Sequence, residues 1–426
     1  MPHVRRNVHG PTPPRRRFRG ACILTSSRNV IVAGAGIAGL TAALALARHQ
    51  FRVTVLEQAE RPEETGAGIQ LSPNATRILI DLGVGELLRP HVVVPEGLRV
   101  LDASTSREIL YMPLGAAATA RYGAPYWSIH RGDLQAALAG AVGQNLDIGV
   151  KFGMRMEDFA AHDNGISVSA RNRSGTWQER GGALIAADGL WSVGRARMGF
   201  GDPPRFAGRV AWRALIPAQL AAPEFREPLI QLWLGSDAHI VHYPVKAGAM
   251  INIVVIIDDG WNAPGWSAPA NRRDLLPRLP PQRWAPQLLD LLNVPPHWLR
   301  WALYDRRPLR KWSQGPAALI GDAAHPMLPY LAQGAAMAIE DASVAAQCLA
   351  QMPDNAEKAL KAYCVMRRAR ARKVQRLAAR NGQRYHFGGL SGMVRNTAMR
   401  MMGGARLLRH YDWIYDWRPP AASSIT

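Results

Sequence analysis

Residues 29–57 read NVIVAGAGIAGLTAALALARHQFRVTVLE, and this stretch decides the fold. Residues 29–33 form a short apolar, β-branched run that is typical of a buried parallel strand. The next six residues match the pattern G-x-G-x-x-G. An Ala- and Leu-rich helix is expected over 40–49 and a second strand over 51–56. The order strand, glycine turn, helix, strand predicts the start of a dinucleotide-binding domain.

The glycines and the acid that follows them have separate tasks in such a unit. Gly34 permits the tight turn, Gly36 lets the backbone approach a pyrophosphate, and Gly39 allows close packing of the helix on the strand. The amides at the start of the helix favour phosphate groups. Glu57 stands 18 residues past Gly39. A carboxylate there accepts hydrogen bonds from ribose hydroxyls and disfavours a 2′-phosphate.

The composition is that of a globular protein large enough for two domains. The chain has 426 residues, 48% hydrophobic and 20% charged. No apolar run approaches the roughly 20 residues of a membrane span. The three cysteines form no CxxC pair, so the sequence predicts neither a disulfide framework nor a metal site. We therefore expect a reduced, cytoplasmic setting.

The net charge of +20 is concentrated in two segments. Residues 1–28 hold seven arginines and no acid, and residues 358–411 hold fourteen lysines or arginines and no acid. The first segment is rich in proline and is expected to be a disordered basic extension. The second is expected to include a long helix with an apolar stripe and a charged face. The stripe includes Leu360, Tyr363 and Val374, and the charged face includes Arg367, Arg368 and Arg370. No nucleic-acid fold signature accompanies these charges, so packing on the protein or on a second subunit is favoured over nucleic acid or a membrane surface.

The middle of the chain changes its pattern and then returns to glycine. Strand-like runs follow one another from about 208 to 258, with few helical stretches between them, which predicts an antiparallel or mixed sheet. Residues 318–342 then read ALIGDAAHPMLPYLAQGAAMAIEDA. We expect an α/β fold with a Rossmann-like domain, an inserted mixed or antiparallel sheet domain and a C-terminal helical segment. The predicted boundaries are 1–28 for the extension; 29–100, 126–202 and 303–355 for the dinucleotide domain; 101–125 and 203–302 for the substrate domain; and 356–426 for the C-terminal segment.

The motifs together resemble the class A flavoprotein aromatic hydroxylases, particularly their salicylate hydroxylase, 3-hydroxybenzoate 6-hydroxylase and 6-hydroxynicotinate 3-monooxygenase branches. The resemblance extends over roughly 350 residues, from about 29 to the early 380s. It is carried by GAGIAG with Glu57, by IHRGDL at 129–134, by ADG at 187–189 and by GDAAHPMLPYLAQGA at 321–335. The combination is specific for the fold and the flavin, and less specific for the substrate.

The resemblance implies a cofactor, FAD, and a role for each matching residue. Gly34, Gly36, Gly39 and Glu57 would bind the ADP part of FAD, and Arg131 would contact FAD. Asp188 would serve both FAD and NAD(P)H, and Asp322 the ribityl or pyrophosphate portion. Gly334 and Ala335 would present amides to the flavin, and Pro326 would lie near flavin and substrate. Taken singly, Asp188 and Asp322 are also ordinary helix caps or turn acids, and Arg131 an ordinary surface residue.

The implied reaction takes NADH or NADPH, O2 and a small aromatic substrate, and proceeds through a flavin C4a-hydroperoxide. Activation of a phenol requires a base or proton relay near the ring. His239 and Tyr243 are four residues apart on one strand and share a face with Val241, whereas Ile240 and His242 point the other way. His325 is a third candidate, which also fits a role in shaping the flavin loop. A packed histidine with a tyrosine at a sheet edge is an equally ordinary explanation of the pair.

Two further residues bear on the substrate. Gln70 stands near the place where some relatives carry a histidine base, and glutamine hydrogen-bonds but accepts no proton at neutral pH. This departure favours salicylate- or hydroxybenzoate-like substrates over hydroxynicotinate. Arg213 is a candidate anchor for the carboxylate of such a substrate, or else an exposed arginine.

Alternatives to an aromatic monooxygenase remain at this point. One is a related FAD-dependent oxidase or dehydrogenase, and another is a non-enzymatic protein that binds through its basic helix. The expected partners are the aromatic substrate and O2, without nucleic acid or a membrane span, and the basic C-terminal helix also allows a homodimer. Neither the ring, the carbon attacked nor the nicotinamide donor follows from the sequence.

Overall fold

The computed structural model describes residues 28–61, 67–262 and 267–421. The expected basic extension, 1–28, lies outside these ranges except for Arg28. The strands in the described ranges are β1 (Asn29–Ala33), β2 (Arg52–Leu56), β3 (Gly68–Leu71), β4 (Gly97–Asp102), β5 (Glu108–Pro113), β6 (Trp127–His130), β7 (Ile148–Lys151), β8 (Arg155–His162), β9 (Gly165–Asn172), β10 (Gly175–Gly181), β11 (Ala183–Ala186), β12 (Arg205–Pro217), β13 (Leu229–Leu234), β14 (Ala238–Val245), β15 (Met250–Asp258), β16 (Ala268–Ala270), β17 (Trp298–Asp305), β18 (Ser313–Gln314) and β19 (Ala317–Leu319).

The α-helices of the same ranges divide into an N-terminal set, a short middle set and a C-terminal set. They are α1 (Ile37–Arg48), α2 (Pro73–Asp81), α3 (Gly85–Leu88), α4 (Gly115–Tyr122), α5 (Arg131–Gly143), α6 (Val193–Arg197), α7 (Arg272–Leu275), α8 (Pro286–Asn293), α9 (Gly334–Gln351), α10 (Ala356–Tyr385), α11 (Gly389–Met402), α12 (Gly404–His410) and α13 (Asp412–Tyr415).

A six-stranded sheet in the order β18-β19-β11-β1-β2-β7 forms the first half of the fold. Its strands β19, β11, β1, β2 and β7 run parallel. Buried residues of β1 and α1 pack with α9 into one apolar core, so two segments almost 300 residues apart in sequence meet here. The predicted Rossmann-like unit is confirmed, with α1 beginning three residues earlier than expected because the helix starts within the glycine turn itself.

An eight-stranded mixed sheet in the order β16-β17-β12-β15-β14-β13-β4-β5 forms the second half. Its pairs are antiparallel except β13 with β4. One face packs on α8 in a core that includes Trp212, Ile240 and Leu288. The other face lines a cavity together with residues of the glycine turn after β1. The sheet includes β4 from Gly97 onward, so the predicted boundary between 100 and 101 falls inside a strand. The division into domains stays a prediction.

The C-terminal segment folds back onto both halves. Helix α10 buries Leu360, Tyr363 and Val374, which belong to the predicted apolar stripe. The expected charged face is wrong in one respect, because Arg367 is buried. It lies against Glu340 and Asp341 of α9, with Nη1 2.5 Å from Glu340 Oε2 and Nε 2.8 Å from Asp341 Oδ1. Helical spacing places a residue on a face but does not show which acid of another helix meets it.

Candidate active site

Two glycines of the first turn are fixed by close approach of backbone atoms. Gly34 has a φ of +103°, and a Cβ atom there would lie 2.6 Å from the carbonyl oxygen of Ala187. A Cβ on Gly39 would lie 1.8 Å from the carbonyl oxygen of Gly34. Both positions therefore exclude larger residues, and the helix start of α1 is drawn against the end of β1.

Gly36 differs, because a Cβ atom there would meet no protein atom within 4 Å. The space beside it belongs to a cavity of about 370 Å³, which is also lined by Glu57, Arg131 and Gln135. Gly36 is the residue that immediately precedes α1, so the unpaired amides of the first helical turn lie beside this space. The arrangement suits a phosphate group, which a side chain at Gly36 would displace.

Glu57 is held by the backbone on both sides. Its Oε2 atom accepts a hydrogen bond from the amide of Ala35 at 2.6 Å, and Oε1 accepts one from Ala59 at 2.8 Å. Each carboxylate oxygen keeps a second lone pair for a donor in the cavity. The carboxylate is therefore pre-oriented for ribose hydroxyls, the role expected of it.

A second cavity, of about 460 Å³, lies between the two sheets and adjoins the first at Gly36 and Arg131, which line both. Asp322 lines this second cavity and is open to it. The surrounding protein nevertheless raises the pKa of Asp322, although His325 and Arg131 act against this effect. Burial lowers the pKa of Arg131, and the charge of Asp322 counters the shift. Asp322 and Arg131 thus provide one acid and one cation where the two cavities meet.

The start of α9 forms another part of the same wall. Gly334 and Ala335 open this helix and line the cavity, together with Pro326. Amides in a first helical turn have no acceptor within the helix, so they are available to a ligand. The carbonyl of Pro326 accepts a hydrogen bond from Gln375 Nε2 of α10 at 2.8 Å, which fixes the loop. These three residues lie together as expected.

Asp188 and His325 lie beside the cavity rather than among its lining residues. Asp188 Oδ2 accepts the amide hydrogen of Gly194 at 2.9 Å, within the first turn of α6, and burial raises the pKa of Asp188. This geometry is that of a helix cap. His325 is buried with Nε2 2.5 Å from Asp341 Oδ2, and its ring packs at a tilt against Trp312, with centroids 5.0 Å apart. The structure therefore gives no support to His325 as a group that contacts substrate, because its ring is directed into the α9–α10 ion-pair cluster.

The face alternation predicted for β14 is observed. His239, Val241 and Tyr243 line the cavity, whereas Ile240 packs in the core on the other side of the sheet. His242 also lies on that far side, where its Nε2 accepts a hydrogen bond from Trp233 Nε1 at 3.0 Å. Burial, followed by the charges of His386 and Arg209, lowers the pKa of His239 well below 6.5. His239 is therefore neutral at neutral pH.

Gln70 joins two tyrosines on the cavity wall. Tyr126 donates its hydroxyl hydrogen to Gln70 Oε1 at 2.9 Å. The side chain of Gln70 also hydrogen-bonds Tyr243, which counteracts part of the rise that burial causes in the pKa of Tyr243. Because this hydrogen bond acts to lower the pKa of Tyr243, it is donated by the Gln70 amide nitrogen to the tyrosine oxygen. The hydroxyl hydrogen of Tyr243 is then available to a molecule in the cavity.

Arg213 lines the cavity and is half-buried, so it is not the exposed arginine that the sequence allowed, and its role as an anchor stays a prediction. Its guanidinium carbon lies 4.5 Å from the centre of the Trp301 ring. Burial lowers the pKa of Arg213 to about 10, the charge of Tyr243 acts to raise it, and Arg131 lowers it further. The group remains a cation at neutral pH and stands beside an otherwise largely apolar wall.

Sequence reasoning missed the aromatic residues that complete the cavity. Tyr126 and Trp301 come from the middle of the chain, and the C-terminal segment adds Tyr385, Tyr411 and Tyr415. The run HYDWIYDW at 410–417 is dense in aromatic residues, and this density in an otherwise basic segment was the available signal. It did not show that α10 to α13 return to the cavity.

The two adjoining cavities fit FAD. The first cavity provides the helix start beside Gly36 for a phosphate group and Glu57 for a ribose. The second cavity provides Asp322 and the amides of Gly334 and Ala335. The family described as FAD binding domain matches residues 27–378 of the chain. The chain belongs to this family. It is a flavoprotein of the aromatic hydroxylase type, as the resemblance implied.

Curated relatives and solved structures agree with this placement of the flavoprotein. It is 36% identical over 389 residues to 3-hydroxybenzoate 6-hydroxylase 1 of Aquipseudomonas alcaligenes, covering 91% of this chain and 97% of the relative. It is 32% identical over 366 residues to 6-hydroxynicotinate 3-monooxygenase of Pseudomonas fluorescens, covering 84% and 92%. A salicylate hydroxylase substrate complex superposes with a TM-score of 0.77 at 26% identity, covering 94% and 98%.

Residues 28–61, 67–262 and 267–421 lack two other features. No helix in these ranges is long and apolar enough to cross a bilayer. The same ranges contain no group of three or more His, Cys, Asp or Glu side chains placed to hold a metal ion.

Proposed function

We propose that this flavoprotein hydroxylates a phenolic acid of the hydroxybenzoate class, using NADH or NADPH and O2. One observation carries the proposal: a cation, a hydroxyl donor and a neutral imidazole stand on the same wall of the second cavity. They are Arg213 on β12 and Tyr243 and His239 on β14. A phenolic acid presents the complementary groups, a carboxylate and an acidic hydroxyl.

The register of the sheet gives the distances between these groups. Arg213 pairs with Val254 of β15, and Val254 pairs with Val241 of β14, which lies midway between His239 and Tyr243. Two strand spacings separate Arg213 from Val241, about 10 Å at the backbone. An aromatic ring fits between side chains that reach inward from strands at this separation.

Each residue then has a defined task. Arg213 pairs with the carboxylate, and a charge-assisted hydrogen bond of this kind is stronger than a neutral one. Tyr243 donates its hydroxyl hydrogen to an oxygen of the substrate. His239 uses Nδ1 to contact His386, which leaves Nε2 to accept the phenolic proton. The resulting phenolate is a better nucleophile toward electrophilic oxygen.

FAD, when bound and reduced by the nicotinamide donor, supplies the activated oxygen. The chain contributes a dry site, because the wall near His239 is built from Leu232, Val241 and Ile256. The amides of Gly334 and Ala335 stand where negative charge can be stabilised at a helix start. His239 is the one imidazole among the described lining residues, and Gln70 takes no proton, so the base assignment rests on His239.

The test is a panel of 3-hydroxybenzoate, salicylate and 6-hydroxynicotinate with the FAD-loaded protein under ¹⁸O2. We expect substrate-stimulated NADH or NADPH oxidation and one ¹⁸O atom in the product of a hydroxybenzoate. Hydrogen peroxide without labelled product would instead support an oxidase. Oxidation of substrate under argon with an artificial electron acceptor would support a dehydrogenase.

The role of Arg213 is tested with Arg213→Gln and a matched pair of ligands. A hydrogen bond to a charged group contributes about 1.5 to 3 kcal/mol, so the Kd of 3-hydroxybenzoate should rise about 10- to 100-fold. The Kd of 3-methylphenol, which lacks the carboxylate, should change little. Equal weakening of both ligands would show that Arg213 supports the cavity and does not anchor the carboxylate.

A cytoplasmic location and a homodimer remain proposals about the setting of the enzyme. The basic C-terminal segment packs on its own chain, and this packing is compatible with both proposals. Size-exclusion chromatography with light scattering tests the oligomeric state directly.

A further inference from the structure

Three side chains form a continuous hydrogen-bonded chain from the cavity wall to the protein surface. Nδ1 of His239 lies 2.8 Å from Nε2 of His386. Nδ1 of His386 lies 3.2 Å from Oδ1 of Asp258. His239 is 2% exposed and His386 7%, whereas the Asp258 side chain is 54% exposed. The chain thus connects a buried imidazole with solvent.

The three residues come from different parts of the sequence. His239 lies on β14, Asp258 ends β15, and His386 immediately follows α10. The backbone carbonyl of His386 also accepts the amide hydrogen of Asp237 at 3.3 Å, which ties the end of α10 to the start of β14. The alignment therefore depends on the C-terminal segment docking on the sheet.

A buried imidazole by itself is a poor final acceptor of a proton. Burial, with His386 and Arg209, lowers the pKa of His239 well below 6.5, and burial lowers the pKa of His386 to about 4. Arg209 and Arg395 both act against a cation at His386, and Asp258 acts in its favour. A proton accepted by His239 is therefore unstable there and requires another destination.

We infer that His386 and Asp258 conduct the phenolic proton from His239 to solvent. This inference rests on the proposed function and deepens it. The substrate O–H bond breaks and an N–H bond forms at Nε2 of His239. The hydrogen on Nδ1 of His239 passes to Nε2 of His386, and the hydrogen on Nδ1 of His386 passes to Oδ1 of Asp258. The carboxyl group then releases one proton to water.

The neighbouring groups fit this direction of transfer. Arg209 Nε lies 2.7 Å from Asp258 Oδ1 and holds that carboxylate in place. The rings of Tyr330 and Tyr385 pack against His239, with centroids 5.5 and 5.3 Å away, and keep its orientation. Proton transfer in the opposite direction, from solvent through Asp258 and His386 to His239, reprotonates the product. It also restores the starting tautomers of both histidines. No oxidant or reductant is consumed.

A relay controls the rate of proton transfer and not its equilibrium, and the test uses this difference. FAD-loaded wild type, His386→Gln and Asp258→Asn are mixed with 3-hydroxybenzoate without a nicotinamide donor. Stopped-flow absorbance records phenolate formation, and a pH-indicator dye records proton release. Both rates should fall at least about tenfold in each variant, since positioned proton-transfer groups typically contribute more than this. The final phenolate amplitude at high pH should be retained.

Two controls separate conduction from packing. His242→Gln changes a buried histidine on the opposite face of β14 and should leave both rates unchanged. Added imidazole should restore the rates in His386→Gly. Unchanged rates in both relay variants, or a loss of amplitude without a loss of rate, would overturn the relay. If the His386 variants fail to fold, the proton-release and phenolate-formation rates of Asp258→Asn still test the relay.

The same experiment distinguishes the relay from the proposed function. A wild type that hydroxylates 3-hydroxybenzoate while the variants ionise it at normal rates refutes only the relay. A wild type that binds the compound without forming phenolate refutes both the relay and the use of His239 as base. A wild type that neither binds nor hydroxylates any member of the panel refutes the proposed function itself.

Discussion

Tyr126 donates a hydrogen bond to Oε1 of Gln70 across 2.9 Å, and this contact holds the Gln70 amide on the wall of the second cavity. The hydrogen bond between Gln70 and Tyr243 acts to lower the pKa of Tyr243, so Gln70 donates it through its nitrogen. Tyr243 is then a donor to the cavity. In the proposed function, Gln70 would thus act on the substrate through a tyrosine, without accepting a proton itself.

Replacement of Gln70 by Leu should weaken substrate binding because Tyr243 loses its orienting partner. A neutral hydrogen bond contributes about 1 kcal/mol, so the Kd of 3-hydroxybenzoate should rise about fivefold. Perturbation of the flavin absorbance during titration measures this Kd. Tyr126→Phe should have a smaller effect, since the Gln70 amide still reaches Tyr243. Wild-type affinity in Gln70→Leu would contradict the orientation argued above.

Gly36→Ala and Gly39→Ala should separate cofactor binding from folding. A methyl group on Gly36 meets no protein atom within 4 Å, so the apoprotein should keep its Tm while FAD affinity falls at least about tenfold, the equivalent of 1.4 kcal/mol. A methyl group on Gly39 would meet the carbonyl oxygen of Gly34 at 1.8 Å. Overpacking of this kind costs about 1 to 3 kcal/mol, so the apoprotein itself should lose stability.

Flavin content after purification and calorimetry of the apoprotein provide the two measurements. If Gly36→Ala lowers the Tm of the apoprotein as much as Gly39→Ala does, the space beside Gly36 is not reserved for FAD. Full FAD occupancy in Gly36→Ala at limiting FAD would lead to the same conclusion.

Arg370→Ala should destabilise the protein by about 3 kcal/mol, the scale for breaking a buried ion pair. Its Nε and Nη2 atoms each lie 2.8 Å from the buried carboxylate of Glu340, and it also donates to the carbonyls of Trp413 and Ile414. Urea unfolding measures the change. Arg372→Ala, an exposed arginine on the same helix, should change stability by less than about 0.5 kcal/mol. Similar losses in both variants would argue against the Glu340 contact.

Stability should fall as the pH drops below the ordinary histidine pKa of 6.5. Burial lowers the pKa of His242 to about 3 and that of His386 to about 4. Between 6.5 and these values the unfolded chain binds protons that the folded chain does not, so unfolding becomes more favourable in acid. Above 6.5 both states are neutral at these positions and the full contribution is present.

Urea midpoints at pH 7.5 and pH 5 measure this dependence. The midpoint should be lower at pH 5, and His242→Gln should narrow the difference between the two values, because the unfolded variant lacks one titrating group. His297→Gln, at an exposed position, should keep the wild-type difference. An unaltered difference in His242→Gln would show that another group causes the acid sensitivity.

Local patterns were sufficient for the elements that bind the dinucleotide. The β1–α1–β2 unit is contiguous, and the three glycines act within six residues, so sequence spacing and backbone sterics determine their geometry together. The alternation along β14 was equally readable, since a strand with one buried and one cavity face alternates at a period of two. His239 and Tyr243 were therefore placed on one face before the position of that face was known.

The contacts of His239, Arg213 and Gln70 could not be read from the sequence. The sequence left Arg213 open as an exposed residue or an anchor, and only the order β12-β15-β14 places it on the same cavity wall as His239. His386 lies 147 residues from His239 in sequence, and its meeting with Asp258 depends on how α10 docks on the sheet. His325 is directed away from the cavity by its contact with Asp341 of α9, a residue that the sequence did not identify as its partner. Such contacts depend on packing between distant segments, and no local periodicity encodes them.

The sequence alone thus determined the family, the flavin and the strand face that holds the candidate base, because each depends on residues close together along the chain. The tertiary structure alone decided which side chains surround that base. Burial between two sheets sets its pKa, and three segments brought together by folding connect it to solvent. The proposed chemistry of the site depends on this desolvation and alignment, which exist only after the distant segments have packed.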